Sequence, residues 1–598
     1  MSMWAFIRLL TARDWRWWWF YLFGTSWAIL THYHGLVLIG VQGLFLLIWW
    51  KKYPRATARW GLAQGVMLVP YVPWVLFNLV GKPHWLPHVP LAESYLRSAL
   101  AYSVGEMVPR PMALWLAAPF VLLFGWGAIA AFRRPRGREL ASFLLIFTLV
   151  PNIAAWVYGE FFTPVYLPRY LIPVQIGFLL TVAVGIDSLA GRSPFRSPRR
   201  WLATTVGVLL MGTSAWVVIR HYTDPLYAKP DWRGVAQTIE AFQLPGDGIL
   251  MTGSGGEFLF DHYYRGGLTV RHDFNTPAPS PPEAEKIIAG IAAENSRLWF
   301  TPYGEPLDPL LEKWLSENAF PAWQKWVGRK NLLLYRTGNP ALTRLETENA
   351  TFGAAVLGTI SLPDTPIAAG DLLPLESVWR ANAPVGVDMK ISLRLANSAG
   401  DIFAQSDFPP FAEPSTAWAV NQSVTDRRAL WIPADTPPGL YDVRLVVYDG
   451  ANGQPLGDAV TIAAVPVGAA TLTPPVGALD MPRNRDVPLG AVSLVGAIAP
   501  QTVAPGEFLW LWLYLRADES APPDTPLQFT VTDGTRTETI PLTLQSVAGD
   551  TGRWRTGQIR RTIVHLPTGA DFAGDTVTVQ LSAGNTTPQT VAVVAIGD

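Results

Sequence analysis

The strongest constraint on the fold is how apolar residues divide along the chain. Before residue 220, apolar runs of about 17–25 residues follow one another, each long enough to cross about 30 Å of hydrocarbon as a helix. Residues 221–598 have no such run and are richer in Pro, Asp, Thr and Gly. About seven spans are expected, over 15–31, 34–50, 58–80, 111–132, 140–158, 169–190 and 200–220. The first two are short, and a buried hairpin is an alternative for them. Pro70, Pro73 and Pro151 fall inside spans, which membrane helices tolerate when neighbours satisfy the freed carbonyls.

Cations in short loops set the expected orientation. Arg8, Arg13 and Arg16 precede the first span; Lys51, Lys52, Arg55 and Arg59 follow the second. Arg133, Arg134, Arg136 and Arg138 follow the fourth, and Arg192, Arg196, Arg199 and Arg200 the sixth. With seven alternating spans these clusters share one side, which the positive-inside rule makes cytoplasmic. The expected location is therefore a multi-pass position in the cytoplasmic membrane, with the C-terminal domains extracytoplasmic. The turn THYHG (31–35), the 81–110 loop and the 159–168 loop then face outward.

Balanced charge, with 46 Lys plus Arg against 46 Asp plus Glu, argues against nucleic acid as a partner. The absence of cysteine excludes a disulfide framework, a thiolate zinc site and a cysteine nucleophile. MSMWAFIRLLTARDW lacks a long apolar core and a small-residue cleavage site, so no cleavable signal peptide is expected.

The expected fold class is multi-domain: a polytopic α-helical membrane domain (1–220), a small α/β domain (221–345) and two tandem β-sandwich domains (346–475 and 485–598). In the α/β domain, DWRGVAQTIEAF, GEFLFDHYYR, PPEAEKIIAGIAAE and LDPLLEKWLSENA read as helices; DGILMTG, SRLWFTPY and NLLLYRT read as strands. GSGG (253–256) follows a strand but matches neither GxGxxG nor a Walker motif, and reads as a turn.

The two β regions form an internal repeat. FGAAVLGTISLPDTPIAAGDLLPLESVWRA (352–381) aligns with LGAVSLVGAIAPQTVAPGEFLWLWLYLRA (489–517), matching Gly353 to Gly490, Gly370 to Gly506 and Arg380 to Arg516. IPADTPPGLYDVRLVVYDG (432–450) matches LPTGADFAGDTVTVQLSAG (566–584). Strict alternation along such strands buries one face of each against an opposite sheet. Neither copy carries an Asp-rich calcium loop or a catalytic carboxylate pair.

THYHG, then LPRYLIP (167–173), then DWRGVAQTIEAF (231–242), in that order, resemble the later part of a GT-C superfamily glycosyltransferase. The resemblance is to bacterial relatives of dolichyl-phosphate-mannose–protein mannosyltransferases and covers residues 1 to about 340; the β repeats resemble C-terminal appendages of some of those proteins. It implies transfer of a sugar from a polyprenyl-phosphate carrier to an acceptor (protein, glycan or lipid) on the outer side, with membrane lipid as a further partner. The family places its catalytic carboxylate in a first outer loop. THYHG has no Asp or Glu, so the resemblance implies a chain beginning in mid-domain: a shortened gene product, or a half-protein with a separate N-terminal half.

Candidate residues follow from this frame. Arg169, at the outer start of the sixth span, can hold a lipid phosphate in a bidentate way or serve as an interfacial anchor. Tyr170, His32, Tyr33 and His34 are candidates for donor phosphate or sugar, or for an interfacial belt. Glu106 and Glu160, the outer-loop carboxylates nearest spans, are weak candidates for a base toward an acceptor hydroxyl, or are simply solvated. His84 and His88 in HWLPH have four-residue spacing, but Pro83 and Pro87 argue against a clean helix, so no metal is expected, nor any other cofactor. A second class of function is a non-catalytic membrane-anchored surface protein whose β-sandwiches bind glycan or protein.

Overall fold

The computed structural model describes the chain apart from residues 12–13, 32–34, 80–85, 136, 192–196, 254, 275–278, 305–306, 412, 480 and 598. It divides into two compact units, Met1–Ala228 and Lys229–Asp598.

The first unit is helical: α1 (Ser2–Thr11), α2 (Arg16–Thr31), α3 (Leu36–Trp49), α4 (Pro54–Leu79), α5 (Leu91–Val104), α6 (Arg110–Phe132), α7 (Gly137–Phe161), α8 (Ile172–Ala190) and α9 (Pro198–Thr223). Four helical stretches among the described residues are long and apolar enough to cross a membrane: Arg110–Phe132, Gly137–Phe161, Pro168–Ala190 and Pro198–Thr223. This is fewer than the seven expected. At 1.5 Å per residue, α2 and α3, with 16 and 14 residues, fall short of a bilayer's hydrocarbon.

Close packing of α6 on α8 depends on two facing glycines. A Cβ on Gly127 would run into Thr181 O, and one on Gly185 into Leu123 O. Small residues of this kind let helix backbones approach where lipid gives no hydrophobic drive. The 81–110 segment, read from sequence as a loop, contains α5. Its polar Ser and Tyr side chains hide the pattern in sequence because they lie on its buried face. Pro90 precedes the helix, and Gly105, with φ 70°, ends it.

The second unit opens with an α/β layer: α10 (Trp232–Phe242), β1 (Asp247–Thr252), α11 (Glu257–Tyr263), β2 (Val270–Phe274), α12 (Pro281–Glu294), β3 (Arg297–Thr301), α13 (Asp308–Asn318), β4 (Phe320–Val327) and β5 (Lys330–Arg336). The Asp231 side chain caps α10 by accepting from Gly234 N at 2.9 Å, and Trp232, Val235, Ala236 and Ile239 form its buried stripe. The sheet order is β2-β1-β3-β5-β4, parallel from β2 to β3 and antiparallel beyond. Sequence reading missed β2 and β4: VRHDF is polar, and FPAWQKWV carries a proline.

Two sheet-rich regions follow. In the first, one sheet runs Ser423–Trp431, Leu372–Ala381, Ala355–Leu362, Thr343–Phe352. The other runs Ile402–Phe408, Met389–Ala396, Gly439–Asp449, Val460–Gly468, Ile367–Ala368. The second region repeats this order strand for strand, as Ile559–Pro567, Phe508–Ala517, Val492–Ile498, Arg483–Pro488, and as Thr537–Thr543, Pro526–Thr532, Thr576–Ala583, Gln589–Ile596, Thr502–Val503. In each region residues from both sheets share one apolar core, around Trp379 in the first and Phe529 in the second. The matched glycines also agree: Gly370 and Gly506 have φ 94° and 83°, and Gly353 and Gly490 have 58° and 79°, all in the left-handed region.

The α/β layer is not closed by itself. Leu372 and Ala429 of the first β region belong to the core of Trp232, Ile239 and Trp299.

Candidate functional site

Side-chain hydrogen bonds join α5 to the start of α6, to the middle of α7 and to the turn that leads into α8. Ser94, Ser98 and Tyr102 stand four residues apart on α5, and all are buried. Ser98 Oγ donates to Asn152 Oδ1 of α7 at 2.8 Å and lies 2.9 Å from the Tyr166 hydroxyl. Tyr166 donates to Ser94 O at 2.5 Å, and Tyr102 donates to Leu171 O at 3.1 Å. Burial pushes the Tyr166 phenol up, above the usual tyrosine range. These bonds pin the 162–171 segment over α5, so the turn that carries Arg169 is held by a satisfied polar network.

Arg169 lies in a short 3-10 turn, Pro168–Leu171, and is exposed. Its guanidinium stands 5.4 Å from the Tyr170 ring centre, so these two candidates are brought together. Arg169 has no ion-pair partner among the described residues. Arg97 and Arg110, by contrast, share a partner: Glu93 accepts from both, each at 2.8 Å, and these two hydrogen bonds hold its carboxyl below the usual range.

The carboxylate candidates differ. Glu160, at the end of α7, pairs with His88 at 3.0 Å. Glu106, in the turn between α5 and α6, is exposed and has no ion pair among the described residues. His32, Tyr33, His34 and His84 lie outside the described residues. No group of three His, Cys, Asp or Glu that could hold a metal is found among the described residues.

Sequence reading did not single out Ser94, Ser98, Tyr102, Asn152 or Tyr166. The available signal was the four-residue spacing in SYLRSALAYS, a helical period inside a segment taken as loop. In chemical terms, among the described residues, the arrangement offers a guanidinium with no ion-pair partner beside an aromatic ring, an exposed carboxylate, and a buried hydrogen-bonded network beneath the turn that carries the guanidinium. In comparisons with known proteins, no family model and no curated protein matches the chain.

Proposed function

We propose that this protein is a membrane glycosyltransferase, or the C-terminal part of one, that transfers a sugar from a polyprenyl-phosphate carrier to an acceptor at the outer face of the cytoplasmic membrane. Seven crossings, or five with α2 and α3 as a buried hairpin, with the C-terminal β-sandwiches outside, belong to the same reading. The observation that carries it is Arg169: an exposed guanidinium with no ion-pair partner among the described residues, at the end of the apolar stretch Pro168–Ala190 away from the basic residues that follow it in sequence. A lipid phosphate supplies the missing anion, and a planar fork grips it with two hydrogen bonds. Tyr170 adds an aromatic face next to the cation, and Glu106 is the carboxylate left open to an acceptor hydroxyl.

The test is binding of a polyprenyl phosphate to the purified protein. Arg169→Lys is expected to weaken binding, and Arg169→Ala to weaken it about tenfold or more. Unchanged affinity in both variants reduces Arg169 to an interfacial anchor.

The second reading is a membrane-anchored surface protein whose β-sandwiches bind glycan or protein. The repeated two-sheet regions favour it, since a duplicated β unit is a common way to present a binding surface. Sugar transfer from a labelled polyprenyl-phosphate sugar in membranes containing the chain separates the two readings.

A further inference from the structure

The second unit begins at Lys229, and its first residues lie at the end of the α/β layer formed by the carboxyl ends of β1 and β3. The β4–β5 turn belongs to this end because β5 runs antiparallel to β3. That turn rests on residues 229–231: a Cβ on Gly328 would come within 3.6 Å of Lys229 O and 3.1 Å of Asp231 Cβ. Trp232 lies against the turn after β1, where a Cβ on Gly256 would overlap its ring. A Cβ on Gly253 would likewise overlap the ring of Tyr303, which follows β3. The Lys330 ammonium is within 4.5 Å of both ring centres. Open α/β sheets usually bind ligands at this end. Here Trp232, Tyr303 and Lys330 pack into it, and what it presents outward is a rim.

The rim differs from the rest of the layer in composition. Among the described residues, the layer (229–336) exposes four large apolar side chains, Phe258, Leu259, Tyr303 and Trp326, and all belong to the segments that build this end. Phe258 is 76% exposed and Trp326 64%. The same segments carry Lys229, Arg233, Lys325 and Arg329, all exposed and without an ion pair among the described residues. Only two acids stand with these four cations, and both are engaged: Asp231 accepts from Gly234 N and Glu257 from Gly255 N. Exposed aromatic rings with an excess of cations are what a membrane–water interface selects. The chain also arrives from such an interface. Trp216, Tyr222 and Tyr227 stand at the end of α9 and just beyond it, and α9 is long and apolar enough to cross a membrane. Six links (229 less 223) join Thr223, the last residue of α9, to Lys229, a reach of about 20–22 Å at most.

We propose that this rim docks on the headgroups of the bilayer that α9 crosses, with anionic lipid as its partner. The short tether keeps the rim beside a lipid surface at all times, which selects a bilayer over a diffusing protein. The unpaired cations select anionic headgroups, and Phe258 and Trp326 enter the headgroup layer. The tether alone leaves the second unit free to swing; docking fixes which end of it faces the lipid. The proposal rests on the reading of α9 as a membrane crossing. It uses neither sugar transfer nor any residue at Arg169, so failure of one leaves the other standing.

The test uses the full chain in lipid nanodiscs of phosphatidylcholine, alone or with about one-quarter phosphatidylglycerol. An environment-sensitive fluorophore is attached at Leu259→Cys on the rim or at Ala293→Cys, an exposed position near the C-terminal end of α12, at the opposite end of the layer. Quenching by lipid carrying a headgroup nitroxide reads proximity to the bilayer. In the anionic discs the rim label is expected to shift to the blue and be quenched, less so without phosphatidylglycerol or in about 1 M salt. The label at position 293 is expected to stay water-like. A cation near an anionic surface is worth about fivefold, so Arg233→Gln with Arg329→Gln is expected to lower the docked-to-free ratio about twentyfold. Phe258→Ser, at a side chain outside the core, is expected to lower it as well, and only variants that melt with the parent are compared. An unquenched rim label, equal quenching at both positions, or quenching that survives all these substitutions overturns the proposal. So does a blue shift without quenching, which means that protein covers the rim. Co-elution with the discs reads the membrane crossing separately. Its absence sinks that reading and the docking together, whereas co-elution with an unquenched label sinks the docking alone.

Discussion

Asp247 and Arg297 open adjacent parallel strands as register partners, and their side chains form an ion pair at 3.0 Å with exposures of 0% and 1%. Trp299 Nε1 and Leu244 N donate to Asp247 Oδ2 at 3.0 Å, while Arg297 donates to Phe242 O at 2.9 Å and to Gly370 O at 2.8 Å. One guanidinium thus ties β1, β3, the end of α10 and the first β region together. Removing only the carboxylate strands a buried cation, so Asp247→Ala is expected to cost about 3–5 kcal/mol. Replacing both, as Asp247→Leu with Arg297→Met, is expected to cost less than Asp247→Ala alone. Hydrogen exchange of the β1 and β3 amides in the full chain reads both. Equal losses in the two variants contradict a pair whose burial is compensated internally.

The shared core around Leu372 and Ala429 predicts how the second unit can be divided. Residues 229–598 are expected to fold without the helical half, giving a soluble product with mixed α/β circular dichroism and one cooperative melt. Residues 346–475 alone lose the cover over Leu372, Ala429 and Trp431, and are expected to aggregate or melt at markedly lower temperature. A 346–475 fragment as stable as 229–598 refutes this dependence.

Lys330 is 5% exposed, with its ammonium 4.5 Å from the Trp232 ring centre and 4.1 Å from that of Tyr303. Burial pushes it down to about 8 from 10.5. Below about pH 8 the folded and unfolded chains both carry the proton, and the full burial cost is present. Between about 8 and 10.5 the folded chain sheds the proton while the unfolded chain keeps it, so stability rises with pH. Lys330→Met is therefore expected to stabilise residues 229–598 at pH 7 by about 1–3 kcal/mol, the two ring contacts offsetting part of the gain. It is also expected to remove that rise from urea-unfolding curves. A variant whose stability tracks the parent across pH 7–10.5 counts against a strained buried charge.

Orientation can be read by labelling, because the chain has no cysteine of its own. Single cysteines at Pro109 and Glu285 are expected to react with an impermeant thiol reagent in intact cells, and at Arg138 and Arg199 only after lysis; all four positions are exposed. Labelling of Arg138→Cys in intact cells, with Glu285→Cys silent, reverses the assigned orientation.

Much of this was legible in local pattern. Apolar runs marked the helical unit, the helical pattern marked α10 and α12, and the repeat marked two copies whose strand orders agree and whose glycines share positive φ. These properties follow from neighbours in the chain: hydration of a run, one face of a helix, a backbone angle only glycine adopts. Other features came from tertiary packing. Ser94, Ser98 and Tyr102 look like loop residues until α7 and the 162–171 turn supply their partners. Asp435 and Arg561, 126 positions apart in numbering (561 less 435), meet only because the two β regions pack together. Asp247 and Arg297 carry no joint signal in sequence, since pairing across a parallel crossover has no fixed spacing. Which polar groups end buried, and which partners they meet there, is set by the surfaces that close over them and not by the segments that carry them.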